Sequence, residues 1–124
     1  MAKAFPRIMV KLWADACDGE RYGYGMTHAR VWKFRPPDGR EGEFREAYSG
    51  TGHWARLFEQ APGYRGTTLL RPSEPGDWWL TIDRWETLAD FEAFQRDFGI
   101  EYRGLDQELE GLAGEEVFVG AFEE

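Results

Sequence analysis

The stretch "WWLTIDRWETLADFEAF", residues 78–94, decides the fold. Its first half alternates: Trp78, Leu80, Ile82 and Arg84 fall on one side, and Trp79, Thr81, Asp83 and Trp85 on the other. That is the period of a strand. The pattern changes at "TLAD", residues 87–90, a Ser/Thr-x-x-Asp/Glu capping signature in which the first side chain accepts an amide of the first helical turn. From there Phe91, Phe94, Phe98, Tyr102, Leu105, Leu109 and Leu112 recur at spacings of three and four, which predicts a helix. Gly99 and Gly104 each weaken it by about 1 kcal/mol, so a break is expected near residue 99. Gly114 ends the run, and Val117 to Phe122 reads as a final strand.

Working back from residue 78, "PSEPGD" is turn chemistry and Thr67 to Arg71 a short strand, so these two strands should form a hairpin. Earlier still, "HARVWKFR" at 28–35 alternates, with Ala29, Val31 and Lys33 on one side and Arg30, Trp32 and Phe34 on the other. "PPDG" terminates it, because proline cannot continue a ladder. Between these strands Phe44 and Tyr48, then Trp54, Leu57, Phe58 and Ala61, hold helical spacing on either side of "SGTG" at 49–52. The glycines read as a kink, with Thr51 as the expected N-cap of the second piece.

The order is strand, helix, strand, strand, helix, strand, which is the split βαβ arrangement of a ferredoxin-like α+β fold with an antiparallel sheet. The domain should span 26–124. Residues 1–25 stand outside it as an N-terminal arm or an extra strand, in which Ile8, Val10 and Leu12 alternate. Two helices cover one face of such a sheet. Trp32, Phe34, Trp79 and Trp85 are too apolar to face water, so a second copy is expected as a lid and the protein as a homodimer.

The chain of 124 residues carries a net charge of −8 and a pI near 4.8, which argues against nucleic acid as a partner. Residues 101–124 hold eight carboxylates against the single Arg103, a solvated acidic face. One cysteine, Cys17, allows no internal disulfide, and Arg7 and Lys11 interrupt the apolar N-terminal run. A cytoplasmic protein that makes no membrane contact is the expectation. No His, Cys, Asp and Glu cluster has metal-ligand spacing. "SGTG" lacks both the following Gly-Lys-Ser/Thr and the preceding strand of a phosphate loop.

The segments "ARVWKF", "YSGTGHWARLF", "PGYRGTTLLR", "WWLTIDRWETLADFEAF" and "YRGLDQELEGL" together resemble the antibiotic biosynthesis monooxygenase family of dimeric α/β barrels. The resemblance covers about 95 of the 124 residues. It implies a ligand pocket between each sheet and its helices. Members include cofactor-independent oxygenases of aromatic polyketides, heme-degrading oxygenases and proteins without a known reaction. The heme-degrading pattern needs an Asn on the first strand, and a Trp and then a His ligand on the second helix. This chain contains no Asn, Phe94 stands near the Trp position and Asp106 near the His position, so no heme and no other cofactor is expected.

The implied pocket would be lined by Trp32, Tyr48, Trp54, Trp85, Phe94 and Asp106, a chamber for a small aromatic or hydrophobic substrate. His53, with an ordinary pKa near ~6.5, is a candidate base, and Tyr102 or Tyr48 a hydrogen-bond donor to a phenolate. Asp83, a carboxylate on the inward face, is either a base or the ion-pair partner of Arg30. Each residue also has a structural reading. His53 suits a helix end, and the tryptophans suit core and dimer interface. Two functions follow: a cofactor-independent monooxygenase, or a non-enzymatic small-ligand-binding or structural dimer.

Overall fold

In the computed structural model, residues 27–124 are described. The N-terminal arm or extra strand expected around Ile8, Val10 and Leu12 lies outside the described residues. The elements run β1 (His28–Arg35), α1 (Glu41–Tyr48), α2 (His53–Phe58), β2 (Tyr64–Leu70), β3 (Trp79–Trp85), α3 (Leu88–Asp97), α4 (Gly99–Glu108) and β4 (Glu115–Glu123). The four strands form one sheet in the order β2-β3-β1-β4, with every neighbouring pair antiparallel. This is the ferredoxin-like α+β architecture.

The stretch at 78–94 behaves as its pattern dictates. In β3, Trp79, Thr81, Asp83 and Trp85 are buried while Leu80, Ile82 and Arg84 are half-buried. Thr87 then caps α3: its Oγ1 accepts from the Asp90 amide at 3.0 Å, and its hydroxyl lies 3.0 Å from Asp90 Oδ2. The expected break falls at Phe98, whose φ of −120° is outside the helical range, between Asp97 and Gly99.

The kink at "SGTG" is present, but Thr51 does not cap. Gly52 occupies the N-cap of α2 without any side-chain cap bond. A Cβ on Gly52 would strike the carbonyls of Glu46 and Ala47 at the end of α1, so the chain must turn on a glycine there. Thr51 is left exposed, its amide 3.4 Å from Ser49 Oγ. β2 begins earlier than its sequence suggests, because the Tyr64 ring packs on Phe58 and Trp85 at 5.5 and 5.3 Å.

Register decides which side chains meet beneath the helices. β1 places Arg30 opposite Asp83, Trp32 opposite Thr81 and Phe34 opposite Trp79. On its other side β1 meets β4, with an irregularity between Val31 and Trp32. Phe44 and Tyr48 of α1, Trp54 and Phe58 of α2, and Phe91 and Phe94 of α3 close over this face as one aromatic core.

One expectation is corrected here. Trp32, Phe34, Trp79 and Trp85 are buried under the protein's own helices and need no second copy. The alternation was read correctly, but the helix-covered side is the aromatic one. The opposite face carries Val31, Leu80 and Ile82, half-buried, and Leu70, Val117 and Phe122, exposed. Trp78 is wedged there between Lys33 and Arg35, whose charges sit 4.5 and 4.4 Å from its ring. Among the described residues no helix is long and apolar enough to cross a membrane.

Candidate functional site

The space between sheet and helices gathers most of the expected residues. Trp32, Tyr48, Trp54, Trp85, Phe94 and Tyr102 all belong to the single aromatic core. Trp54 is the link between helices, its ring 4.9 Å from Tyr102 on α4 and 6.2 Å from Tyr48 on α1. Phe94 continues the wall to Trp85 at 5.3 Å and to Tyr102 at 6.4 Å. Asp106 follows Tyr102 by one helical turn and is half-buried. His53 opens α2 and is half-buried, with its Nδ1 buried and without a hydrogen-bond partner among the described residues.

Within this aromatic enclosure lies a polar interior. Tyr48 and Tyr102 have hydroxyls whose pKa is pushed well above the ordinary value of 10, chiefly by burial. The carboxylates of Asp83, Asp106 and Glu116 push both the same way, and the Trp54 indole offsets part of the rise at Tyr48. Both phenols therefore stay protonated near neutral pH and remain hydrogen-bond donors.

Asp83 is the buried carboxylate on the sheet, and β2 supplies its partner. Thr67 stands opposite it in the ladder and donates from Oγ1 to Asp83 Oδ1 at 2.7 Å. Thr67 has one hydroxyl proton, so the Tyr64 hydroxyl, 2.6 Å from Thr67 Oγ1, must be the donor in that contact. A directed chain runs from Tyr64 through Thr67 to Asp83. Neither Tyr64 nor Thr67 was expected at the site. Both are ordinary strand residues, and only the β2–β3 register brings them to the carboxylate.

The expected ion pair between Arg30 and Asp83 does not form, although the two stand opposite each other in the ladder. The Arg30 guanidinium instead lies over the rings of Phe91 and Phe118, at 4.0 and 4.8 Å from their centroids. Arg30 is 1% exposed, and its two terminal nitrogens have no hydrogen-bond partner among the described residues. Burial pulls its pKa down to about 10, and the carboxylates of Asp83 and Glu92 oppose that fall. It remains a cation at neutral pH. Thr81, fully buried on β3, likewise has an Oγ1 without a partner among the described residues.

An open cleft of about 650 Å³ lies elsewhere, where the β2–β3 turn meets the start of α1. Arg35, Arg45, Arg71, Asp38, Glu41 and Asp77 line it, and none of the expected site residues reaches it. Among the described residues no three His, Cys, Asp or Glu side chains come together as a metal site would require.

Comparison with known proteins agrees with this fold. The family model for antibiotic biosynthesis monooxygenases matches residues 27–97. No curated protein sequence is similar to the chain. Among solved structures, SnoaB from Streptomyces nogalater, a cofactor-independent oxygenase, superposes with a TM-score of 0.57 at 21% identity, over 77% of this chain and 90% of its own. A candidate antibiotic biosynthesis monooxygenase from Caulobacter crescentus CB15 gives a TM-score of 0.57 at 14% identity, covering 83% of this chain and 92% of that one. Another from Bordetella bronchiseptica gives 0.54 at 24% identity, covering 81% and 95%. Identities this low establish a shared fold. With more than half of its length matched by the family model, the chain belongs to the antibiotic biosynthesis monooxygenase family.

Proposed function

We propose that the protein is a cofactor-independent monooxygenase that takes a small electron-rich aromatic substrate between sheet and helices and works as a homodimer. What carries the reading is the polar interior inside the aromatic wall: buried Arg30, Thr81 and Asp83 on the sheet face two buried phenols, Tyr48 and Tyr102, from the helices. A core kept only for packing gains nothing from Arg30 and Thr81, whose buried polar atoms meet no partner among the described residues, because each such atom costs free energy unless it is bonded.

The chemistry asks little of the protein. A phenolic substrate loses a proton, and the resulting anion supplies the electrons for oxygen. One oxygen atom becomes a ring carbonyl and the other leaves as water, so a phenol and O2 give a quinone and H2O with no external reductant. Asp83 takes the proton, its carboxylate oriented by the Thr67 bond. Tyr102 donates a hydrogen bond to the substrate oxygen as negative charge develops. His53 stands at the mouth of α2 as a second proton acceptor. Trp32, Tyr48, Trp54, Trp85, Phe94 and Asp106 shape the enclosure.

The alternative, a dimer that binds a small ligand or serves a structural role without turnover, draws support from the close ring contacts that fill this space. Oxygen uptake and quinone formation with anthrone as probe separate the two. Turnover above the uncatalysed rate, lowered about a hundredfold in Asp83→Asn, is the expected result. Tight binding without any oxygen uptake would establish the second reading instead.

A further inference from the structure

Arg30 is a buried charge that Asp83 and Glu92 stabilise from a distance, while its two terminal nitrogens make no hydrogen bond among the described residues. Its side chain is 1% exposed. The guanidinium carbon lies over the Phe91 and Phe118 rings, 4.0 and 4.8 Å from their centroids, and its N–H groups can bond only at the edge of its own plane. That edge carries the two terminal nitrogens, and neither meets an acceptor among the described residues. The carboxylate best placed to serve it, Asp83 across the ladder, is bonded to Thr67 instead. Glu92 on α3 feels the guanidinium charge but makes no ion pair with it, and its own carboxyl is shifted toward the protonated form by burial.

Ring contacts compensate such a charge only in part. A guanidinium taken out of water loses its hydration, and a planar anion that offers two oxygens to its edge compensates that loss best. The guanidinium fork is planar in itself, so an arriving oxyanion meets donors in a set mutual geometry.

From this geometry we infer that Arg30 is an anion-binding group, and that the aromatic ligand of this protein carries a planar oxyanion, a carboxylate or the enolate of a hydroxycarbonyl, which the Arg30 edge holds. The inference rests on the reading that a small aromatic molecule enters the space between sheet and helices, and it adds the charge and shape of that molecule. The same contact would hold a substrate anion in place while oxygen reacts. Neutral aromatics of equal size would bind weakly, because they leave the guanidinium uncompensated.

Calorimetric titration of the full chain with 2-naphthoate and with its neutral isostere 2-naphthamide tests this. The expected result is a preference of about tenfold or more for naphthoate, the range of a charge-assisted hydrogen bond, abolished in Arg30→Met while naphthamide binding is unchanged. Arg30→Lys keeps the charge and loses the planar fork, and should retain only part of the preference. It also serves as the working variant should Arg30→Met not fold. Equal affinity of the wild-type protein for the two probes, or an equal loss of both on substitution, would overturn the anion-binding role and leave the aromatic pocket standing. Failure of both probes to bind would remove the pocket reading itself, and the inference with it.

Discussion

Phe122 offers the sharpest test of how the open sheet face is covered. It lies on β4 opposite Ala29, on the sheet face that also carries the half-buried Val31, Leu80 and Ile82, and is 49% exposed in the single chain. A phenylalanine presents roughly 200 Å² to water, so about 100 Å² is left for the proposed second copy to bury. At about 25 cal/mol per Å² that amounts to about 2.5 kcal/mol. A two-fold interface uses the residue twice, for a total near 5 kcal/mol. Phe122→Glu should therefore raise the dimer dissociation constant by at least about three orders of magnitude, since each 1.4 kcal/mol is tenfold and the introduced carboxylates must also be desolvated. Because the side chain is already half in water, the fold of the protomer should survive. Sedimentation velocity over a dilution series reads the constant directly, with circular dichroism as the check on folding. A wild-type protein that stays monomeric throughout, or a Phe122→Glu variant as dimeric as wild type, would refute the argument that this face meets a second copy.

Two further outcomes follow from local geometry. His28 is buried, its Nδ1 2.9 Å from Glu123 Oε2, and burial lowers its pKa from 6.5 against the raising effect of that carboxylate. The unfolded chain binds a proton near pH 6.5 that the folded chain refuses. This contribution to stability is therefore complete above that pH and is lost as the pH falls through the lower folded value. Urea midpoints at about pH 7.5 and about pH 5.5 should differ more in the wild-type protein than in His28→Gln, and an identical difference would remove His28 as the cause. Gly63 has φ of +88°, and a Cβ there would collide with the carboxyl of Asp90 in the α3 cap. Gly63→Ala should cost at least about 2 kcal/mol, against about 1 kcal/mol for Gly39→Ala, whose φ is +82° with open space around it. Equal losses on urea denaturation would show that strain alone, without the collision, sets the cost.

Much of this was legible in the sequence, and the parts that were not share a physical reason. β1 was readable residue by residue because alternation is local, and α3 was readable because its cap and its apolar spacing lie within one short window. Which side of the alternation faces the helices is a different kind of fact. Trp32, Phe34, Trp79 and Trp85 have the composition expected of either a core or an interface, and only the path of the chain between strands decides. The cap at Gly52 was hidden in the same way. Thr51 has better capping chemistry, yet the carbonyls of Glu46 and Ala47 leave no room for a side chain at the next position. Asp83 was recognisable as an inward carboxylate, but Thr67 and Tyr64 acquire their meaning only from register, which pairs β2 with β3 across sixteen residues of chain.

The fate of the expected Arg30–Asp83 pair bears most directly on function. Opposite charges facing each other across a buried ladder would ordinarily bond, and doing so would satisfy both at once. Here each is drawn elsewhere, the guanidinium onto two aromatic rings and the carboxylate onto a threonine hydroxyl. That division costs stability, because a bonded pair compensates desolvation better than two separate partial solutions. It also keeps a cation and a carboxylate apart on one face of the sheet, with Asp83 Oδ1 held by the Thr67 hydroxyl. The proposed site, in which Arg30 binds an anion and Asp83 accepts a proton, requires that separation, and collapse of the pair would extinguish both capacities together. Substituting Thr67 by Val therefore tests the logic from the other side. Thr67→Val removes the bond that holds Asp83 Oδ1 toward β2, and a carboxylate that shifts from there toward Arg30 across the ladder should weaken naphthoate binding. Unchanged naphthoate affinity in Thr67→Val would mean that the separation of the two charges is not what holds the Arg30 edge open.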